Sequence, residues 1–530
     1  VVGVDSGDLE GVRFPDDVRA FLGVPYAAPP VGSLRWRPPQ PVEPWAGRRA
    51  ATEHGPAALQ GPPPPNSLYY GGERELSEDC LHLNVWTGEE GDSGRPVLVW
   101  LHFGAYQFGS AGNPMYDGAA LAAAGVTVVS VNHRLGRFGF LAHPDLTAES
   151  GYGGSGNYGL MDQIAALQWV QRNISAFGGD PANVTLAGVS AGGNSVHNLR
   201  SSPLAAGLFS KVIAESAPGV APALDGYGHP ANASTLAAGE QAGVELAGLL
   251  GVSSIEEMRA LPADQIAAVQ LPRTAGSWSF DLIPGAAISL HVFDSGYPVI
   301  DGHVLPTDPL EALLTGQMAD VPMLAGNTGN EASGLPYIGK LGAYRTYVTD
   351  SFGEHAAELL DLYPAGTDEE AQRSSWELLG DQVFVWSTWT AARLQQRRLT
   401  SPVWYYRFLR RPPIPADADL VERDYAGAFH SAGILYAFGT LDTRPWDWTE
   451  EDRSLSRAVQ QSWVDFMRAG DPGASGGLDW PALDGTDRPV LVWDLEHGVG
   501  EQQPDPARMA FWDRFHGVAD QLPEPTREKD

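Results

Sequence analysis

Ser190 stands in Gly188-Val189-Ser190-Ala191-Gly192, directly after the β-branched run Asn183-Val184-Thr185-Leu186-Ala187. The pattern reads as a short strand running into a sharp turn and then a helical stretch. A serine at such a turn must hold a strained backbone, and only residues without a Cβ fit two positions to either side of it. The strain lifts the hydroxyl clear of the sheet, and the helix N-terminus behind it offers partial positive charge to a developing oxyanion. A serine hydroxyl is a weak nucleophile at its free pKa; it needs a histidine as base and a carboxylate to orient that histidine. On an elbow of this kind the acid and then the histidine follow the serine in the chain. Glu331 is the best acid, because it follows Pro322–Ala325 and the loop Gly326-Asn327-Thr328-Gly329-Asn330. That is a strand end opening into a turn, where the active-site residues of α/β sheets collect. Four histidines lie beyond it: His355 in a surface helix, His430 in the small-residue loop Gly427–Gly433, and His497 and His516 near the C-terminus. Residue types alone leave the choice among them open. Phe103-Gly104-Ala105-Tyr106, a loop of mostly small residues after a buried strand, is the expected source of backbone donors for an oxyanion, with the N–H of Ala191 as their partner.

These residues need a scaffold, and its elements are legible. Hydrophobic runs recur at Val97–His102, Val126–Asn132, Val184–Gly188, Val212–Glu215, Met323–Gly326, Val403–Phe408 and Val490–Trp493. Several are continuous rather than alternating, which suits strands buried on both faces of a mostly parallel sheet. Between them lie helical patterns such as Leu160–Asn173, with Leu160, Ile164, Leu167 and Val170 on one face. The alternation predicts a doubly wound α/β sheet. Gly91-Asp92-Ser93-Gly94 matches the nucleophile segment of trypsin-like proteases, but it lies in a polar turn ahead of a strand and reads as a plain turn.

The chain has 530 residues, 43% of them hydrophobic, with a net charge of −31. Its pI is near 4.7. Such a surface repels nucleic acid and anionic membrane, so neither is an expected partner. The single cysteine, Cys80, excludes an internal disulfide and a cysteine-based zinc site. The longest apolar run, Ala119–Val131, is interrupted by glycine and too short to span a bilayer. No metal or other cofactor is expected. The chain opens Val-Val-Gly, which suits a product whose leader has been removed; secretion is favoured, with the cytoplasm as the alternative.

A wider set of segments resembles the type-B carboxylesterases, the cholinesterase-like branch of the α/β-hydrolases. They are Phe21-Leu22-Gly23-Val24-Pro25-Tyr26-Ala27 with Leu34-Arg35-Trp36, Ser77-Glu78-Asp79-Cys80-Leu81-His82-Leu83-Asn84-Val85-Trp86, Asn132-His133-Arg134-Leu135-Gly136, Gly156-Asn157, Phe177-Gly178-Gly179-Asp180-Pro181 and Tyr297–Gly302. The resemblance covers nearly the whole length. It implies one domain over residues 1–530 with an α/β-hydrolase fold: a large, mostly parallel central sheet flanked by helices, with loop and helical insertions forming an active-site gorge. It implies Ser190 as nucleophile, Glu331 as acid and His430 as base. It also implies Gly104, Ala105 and Ala191 as oxyanion donors. The reaction implied is hydrolysis of neutral small-molecule carboxylic esters through an acyl-enzyme. Alternatives are an esterase specialised for a natural-product or toxin polyester, or for a carbamate or amide, and a non-catalytic adhesion relative. A monomer is expected, with a dimer as the alternative.

Departures from the family pattern bear on specificity. His102-Phe103-Gly104-Ala105 replaces His-Gly-Gly-Gly, so Phe103 and Ala105 are expected to narrow the acyl side. Val189 stands where relatives carry Glu before the nucleophile, and Gly433 where they carry Glu three residues after the histidine. Losing both carboxylates predicts a less anionic site. Tyr70 falls near the tryptophan that stacks on choline in cholinesterases, and is a weaker cation–π partner. Tyr70, Phe103, Val189 and Gly433 are therefore the expected substrate-side residues, and together they argue against choline esters. Ser216 matches a polar residue that supports the buried carboxylates. The upstream partner of the family's first disulfide corresponds to Ala58, so Cys80 is expected to be free and buried.

Overall fold

The computed structural model describes residues 1–63, 65–72, 75–223, 233–269, 296–333, 337–420, 426–500 and 502–522. In chain order the main sheet is built from β1 (Val12–Arg13), β2 (Arg19–Pro25), β3 (His82–Thr87), β4 (Arg95–Leu101), β5 (Thr127–Val131), β6 (Gly179–Val189), β7 (Lys211–Glu215), β8 (Met323–Thr328), β9 (Val403–Phe408), β10 (Val490–Trp493) and β11 (Gly498–Gly500). Their spatial order is β11-β10-β9-β8-β7-β6-β4-β5-β3-β2-β1. From β5 to β10 every pairing is parallel. The outer pairings β5·β3, β3·β2, β2·β1 and β10·β11 are antiparallel. All seven hydrophobic runs lie in the sheet, and the antiparallel margins make it mixed. A small separate sheet joins Val2–Val4, Gly7–Glu10 and Arg48–Ala50.

Alternation along the buried strands splits the core into two layers. Val97, Val99, Val129, Leu186, Val212, Ala325 and Tyr405 face one way, against α1 (Tyr158–Asn173), α2 (Ala191–Ser201) and α3 (Trp386–Arg398). Leu98, Trp100, Val128, Ala187, Val189, Ile213, Leu324 and Tyr406 face the other way, against α4 (Ala432–Ala437) and α5 (Glu450–Ala469). Helices cover both faces, so continuous apolar strands are needed. Trp100 anchors the second layer through ring contacts with Tyr116, Phe438 and Trp463 at 5.7, 4.9 and 6.2 Å. Such pairs contribute about 0.5–1.5 kcal/mol each beyond area burial.

A buried fork ties the sheet to α1. Arg134, just past β5, donates from Nη2 and Nε to the two carboxylate oxygens of Asp162 at 2.6 and 2.8 Å. Cys80 is free and buried, and with Ala58 it lines the same small cavity. Within 219–294, residues 224–232 and 270–294 lie outside the described residues, as does the C-terminal tail 523–530. Among the described residues, no helix is long and apolar enough to cross a membrane.

Candidate active site

Ser190 bridges β6 and α2 with φ 59° and ψ −123°, on the left-handed side of backbone space. Non-glycine residues rarely adopt it, and it persists only where the surroundings fix it. Here crowding does so. A Cβ on Gly188 would lie 2.4 Å from the carbonyl carbon of Gly192, and one on Gly192 would lie 2.1 Å from the Leu101 oxygen. Strand and helix therefore close on the serine more tightly than any side chain permits. The Ser190 N–H donates to the Glu215 carbonyl at 3.0 Å, and the Ser190 carbonyl accepts from Asn194 N–H at 2.8 Å as α2 begins. Its hydroxyl makes no capping bond to the helix.

Glu331 lies just beyond β8 and is buried. Its Oε1 accepts from Ser216 Oγ at 2.6 Å, Asn327 Nδ2 at 2.8 Å and the Thr328 N–H at 2.7 Å. Its Oε2 accepts from His430 Nδ1 at 2.6 Å. Burial pushes the carboxyl up, but the hydrogen bonds and the charge of His430 outweigh it, and Glu331 is held below the usual glutamate value. The loops bearing the pair are zipped together one residue earlier. Asn330 and Phe429 form a parallel bridge, and Asn330 Oδ1 accepts from the Ala428 N–H at 2.9 Å. With Nδ1 donating to the carboxylate, Nε2 keeps its lone pair. Nε2 has no hydrogen-bond partner among the described residues. The ring rests on Phe384, 4.3 Å between centroids. Of the four histidines, His430 is the one brought to Glu331.

The loop after β4 turns through positive φ at Gly104 (119°), Ala105 (52°) and Tyr106 (59°). A Cβ on Gly104 would meet the Phe108 oxygen at 1.9 Å, so the tight turn requires glycine there. The N–H groups of Gly104, Ala105 and Ala191 donate to no described residue. Side-chain bonds lock the loop to α2: Tyr106 OH donates to Asn194 Oδ1 at 3.0 Å and accepts from Ser195 Oγ at 3.1 Å. His102 supports it from behind, with Nδ1 2.7 Å from the Phe103 oxygen and its ring stacked on His133 at 4.9 Å. Burial, with the charge of His133 adding to it, lowers His102 to about 3, so it stays neutral.

The substrate-side residues divide. Phe103 is buried, edge-on to Tyr69 at 5.9 Å. Tyr69 also meets Phe429 at 6.5 Å, and its hydroxyl donates to the Ser333 carbonyl at 3.2 Å. Tyr70, the expected aromatic, is only partly buried. The packed ring beside the histidine loop is its neighbour, and nothing in the sequence separates two adjacent tyrosines. Val189 is fully buried in the aromatic-rich second layer. Gly433 is buried in α4, and a Cβ there would meet Glu215 Oε1 at 2.8 Å. The space at Gly433 is thus filled by a carboxyl from another strand, Glu215 of β7. Among the described residues, no cluster of metal-ligating side chains occurs.

Fold and site together define a carboxylic ester hydrolase of the α/β-hydrolase fold. The Carboxylesterase family model matches residues 1–512. The chain belongs to that family. It is 35% identical over 512 residues to fumonisin B1 esterase of Sphingopyxis macrogoltabida, covering 94% of this chain and 86% of the relative. It is 34% identical to para-nitrobenzyl esterase of Bacillus subtilis (strain 168), covering 94% and 95%. Among solved structures, a thermophilic PNB esterase superposes with TM-score 0.80 at 32% identity, covering 96% of this chain and 99% of that one.

Proposed function

We propose that the chain hydrolyses neutral small-molecule carboxylic esters through a Ser190–His430–Glu331 triad and an acyl-enzyme. The 2.6 Å bond from His430 to Glu331, with Ser190 on a strained elbow, carries this reading. His430 Nε2 takes the Ser190 proton as the hydroxyl attacks the ester carbonyl. The tetrahedral oxyanion is held by the N–H groups of Gly104, Ala105 and Ala191; removing one such donor costs roughly 3–4 kcal/mol. His430 then gives its proton to the leaving alcohol. Water repeats the sequence on the acyl-enzyme and frees Ser190. Glu331 stays ionised throughout and holds the imidazole tautomer.

A second reading, an esterase specialised for a natural-product or toxin ester, is favoured by the likeness to fumonisin B1 esterase. A panel of esters varied separately in acyl and alcohol parts, run beside Ser190→Ala, distinguishes the two. Activity spread over neutral short-chain esters supports the first reading; turnover confined to large polyesters supports the second. Acetylthiocholine should be turned over far more slowly than a neutral ester of the same acyl group. Comparable rates would overturn the exclusion of choline esters.

A further inference from the structure

Glu215 ends β7, and its main chain already serves the site: its carbonyl accepts the Ser190 N–H, and the next residue, Ser216, donates to Glu331. Its side chain has no such evident use. It is 1% exposed, and neither carboxyl oxygen makes a hydrogen bond of normal geometry. Burying a polar group this way is costly, and buried carboxyls are seldom left so.

The register of the sheet explains how the carboxyl is enclosed. Val189 pairs with Glu215, Glu215 with Gly326, and Gly326 with Tyr406, so the four lie in one row across β6, β7, β8 and β9. Val189 and Tyr406 belong to the second core layer. Gly326 has no side chain to fill its place in the row. A Cβ there would fall 2.4 Å from the Tyr406 ring, so the ring lies across Gly326 on the Glu215 side. Above the row, Glu215 Oε1 sits 2.8 Å from where a Gly433 Cβ would be, one turn after His430.

Resting on the triad reading above, we propose that Glu215 is a positioning residue: its carboxyl, wedged under Gly433, fixes the His430 segment and the charge felt by the Glu331–His430 pair. Two glycines make the room, Gly326 for the Tyr406 ring and Gly433 for the carboxyl. An apolar Val189 beside it leaves no second carboxyl in the row. The titratable groups facing it are Glu331 from the loop after β8 and Tyr406 from β9, with His430 one turn ahead of Gly433; β6 brings no charge. Burial, and secondarily the charge of Glu331, raises Glu215 to about 8, while the Tyr406 hydroxyl pulls the other way. Below that pH the carboxyl is a neutral wedge. Above it a second negative charge appears near the triad and favours the imidazolium that forms as Ser190 attacks.

The test compares parent, Glu215→Gln and Glu215→Ala on nitrophenyl acetate from pH 6 to 9.5, with active sites counted by organophosphate labelling so that misfolded protein drops out. The parent kcat should rise through an inflection near pH 8 that Glu215→Gln lacks. Glu215→Ala should lose about tenfold in kcat with KM within about twofold, and Glu215→Gln should recover most of that loss at pH 7. A Glu215→Gln profile superimposing on the parent's, or a Glu215→Ala loss that Gln does not rescue, would overturn the proposal. If Ser190→Ala retains activity, the triad reading itself fails; that outcome is separate, because it does not depend on Glu215.

Discussion

In the proposed mechanism each side chain of the site has one chemical task, and substitution separates them. Glu331→Gln keeps the volume but loses the charge that orients His430, and kcat should fall about 10⁴-fold with KM little changed. A loss below tenfold in steady-state kinetics would show that the 2.6 Å bond does not matter to the reaction. Because Glu331 is held below the usual value, it contributes stability that is full above about pH 4.5 and is lost as pH falls through its lowered pKa. The sign is opposite for Glu215. Between its ordinary 4.5 and about 8, folded Glu215 holds a proton that the unfolded chain releases, so stability falls as pH rises. Glu215→Gln removes this dependence. Its melting temperature relative to the parent should climb from pH 4.5 to 8 and level off above. A constant difference over that range would mean the buried carboxyl is not protonated.

At the scale of elements, the site is made by what sits between strand ends. The strand end Glu215-Ser216 touches Ser190 through one bond and Glu331 through another. Gly192→Ala would force a Cβ to 2.1 Å from the Leu101 oxygen, driving α2 away from β4 and the oxyanion loop. Esterase activity should fall at least about 100-fold, more than any change in substrate KM, in a protein that still folds. Much of this was legible in the chain. The run before Ser190, the loop before Glu331 and the Phe103–Tyr106 turn are local patterns, and local patterns fix local structure. His430 was separable from three other histidines only by resemblance, because its partnership with Glu331 depends on the Asn330–Phe429 bridge between distant loops. Glu215 was invisible as chemistry for the same reason. It reads as the end of a strand, and its enclosure by Val189, Gly326, Tyr406 and Gly433 exists only once four strands are in register and α4 is docked. Tyr69 and Tyr70 differ in a way that only packing decides.

Across the whole molecule, two apolar layers and a few buried ion pairs hold the sheet to its helices. Arg134 and Asp162 are both buried, and burial tends to raise Asp162 against the pull of its partner. Asp162→Asn leaves a buried guanidinium without its counter-charge, and urea unfolding should show a loss of about 3–5 kcal/mol. A loss below about 1 kcal/mol would mean the pair is solvated. The chain's net charge of −31 does not bear on Glu331, which is buried and paired with His430. The proposed reaction turns on one covalent event, acylation of Ser190. Rapid mixing with nitrophenyl acetate, followed by mass spectrometry of the trapped acyl-enzyme, tests it most directly. The predicted result is a burst of about one nitrophenolate per active chain, an acetyl group on Ser190, and neither in Ser190→Ala. An acetyl group on another residue, or a full burst in Ser190→Ala, would contradict it.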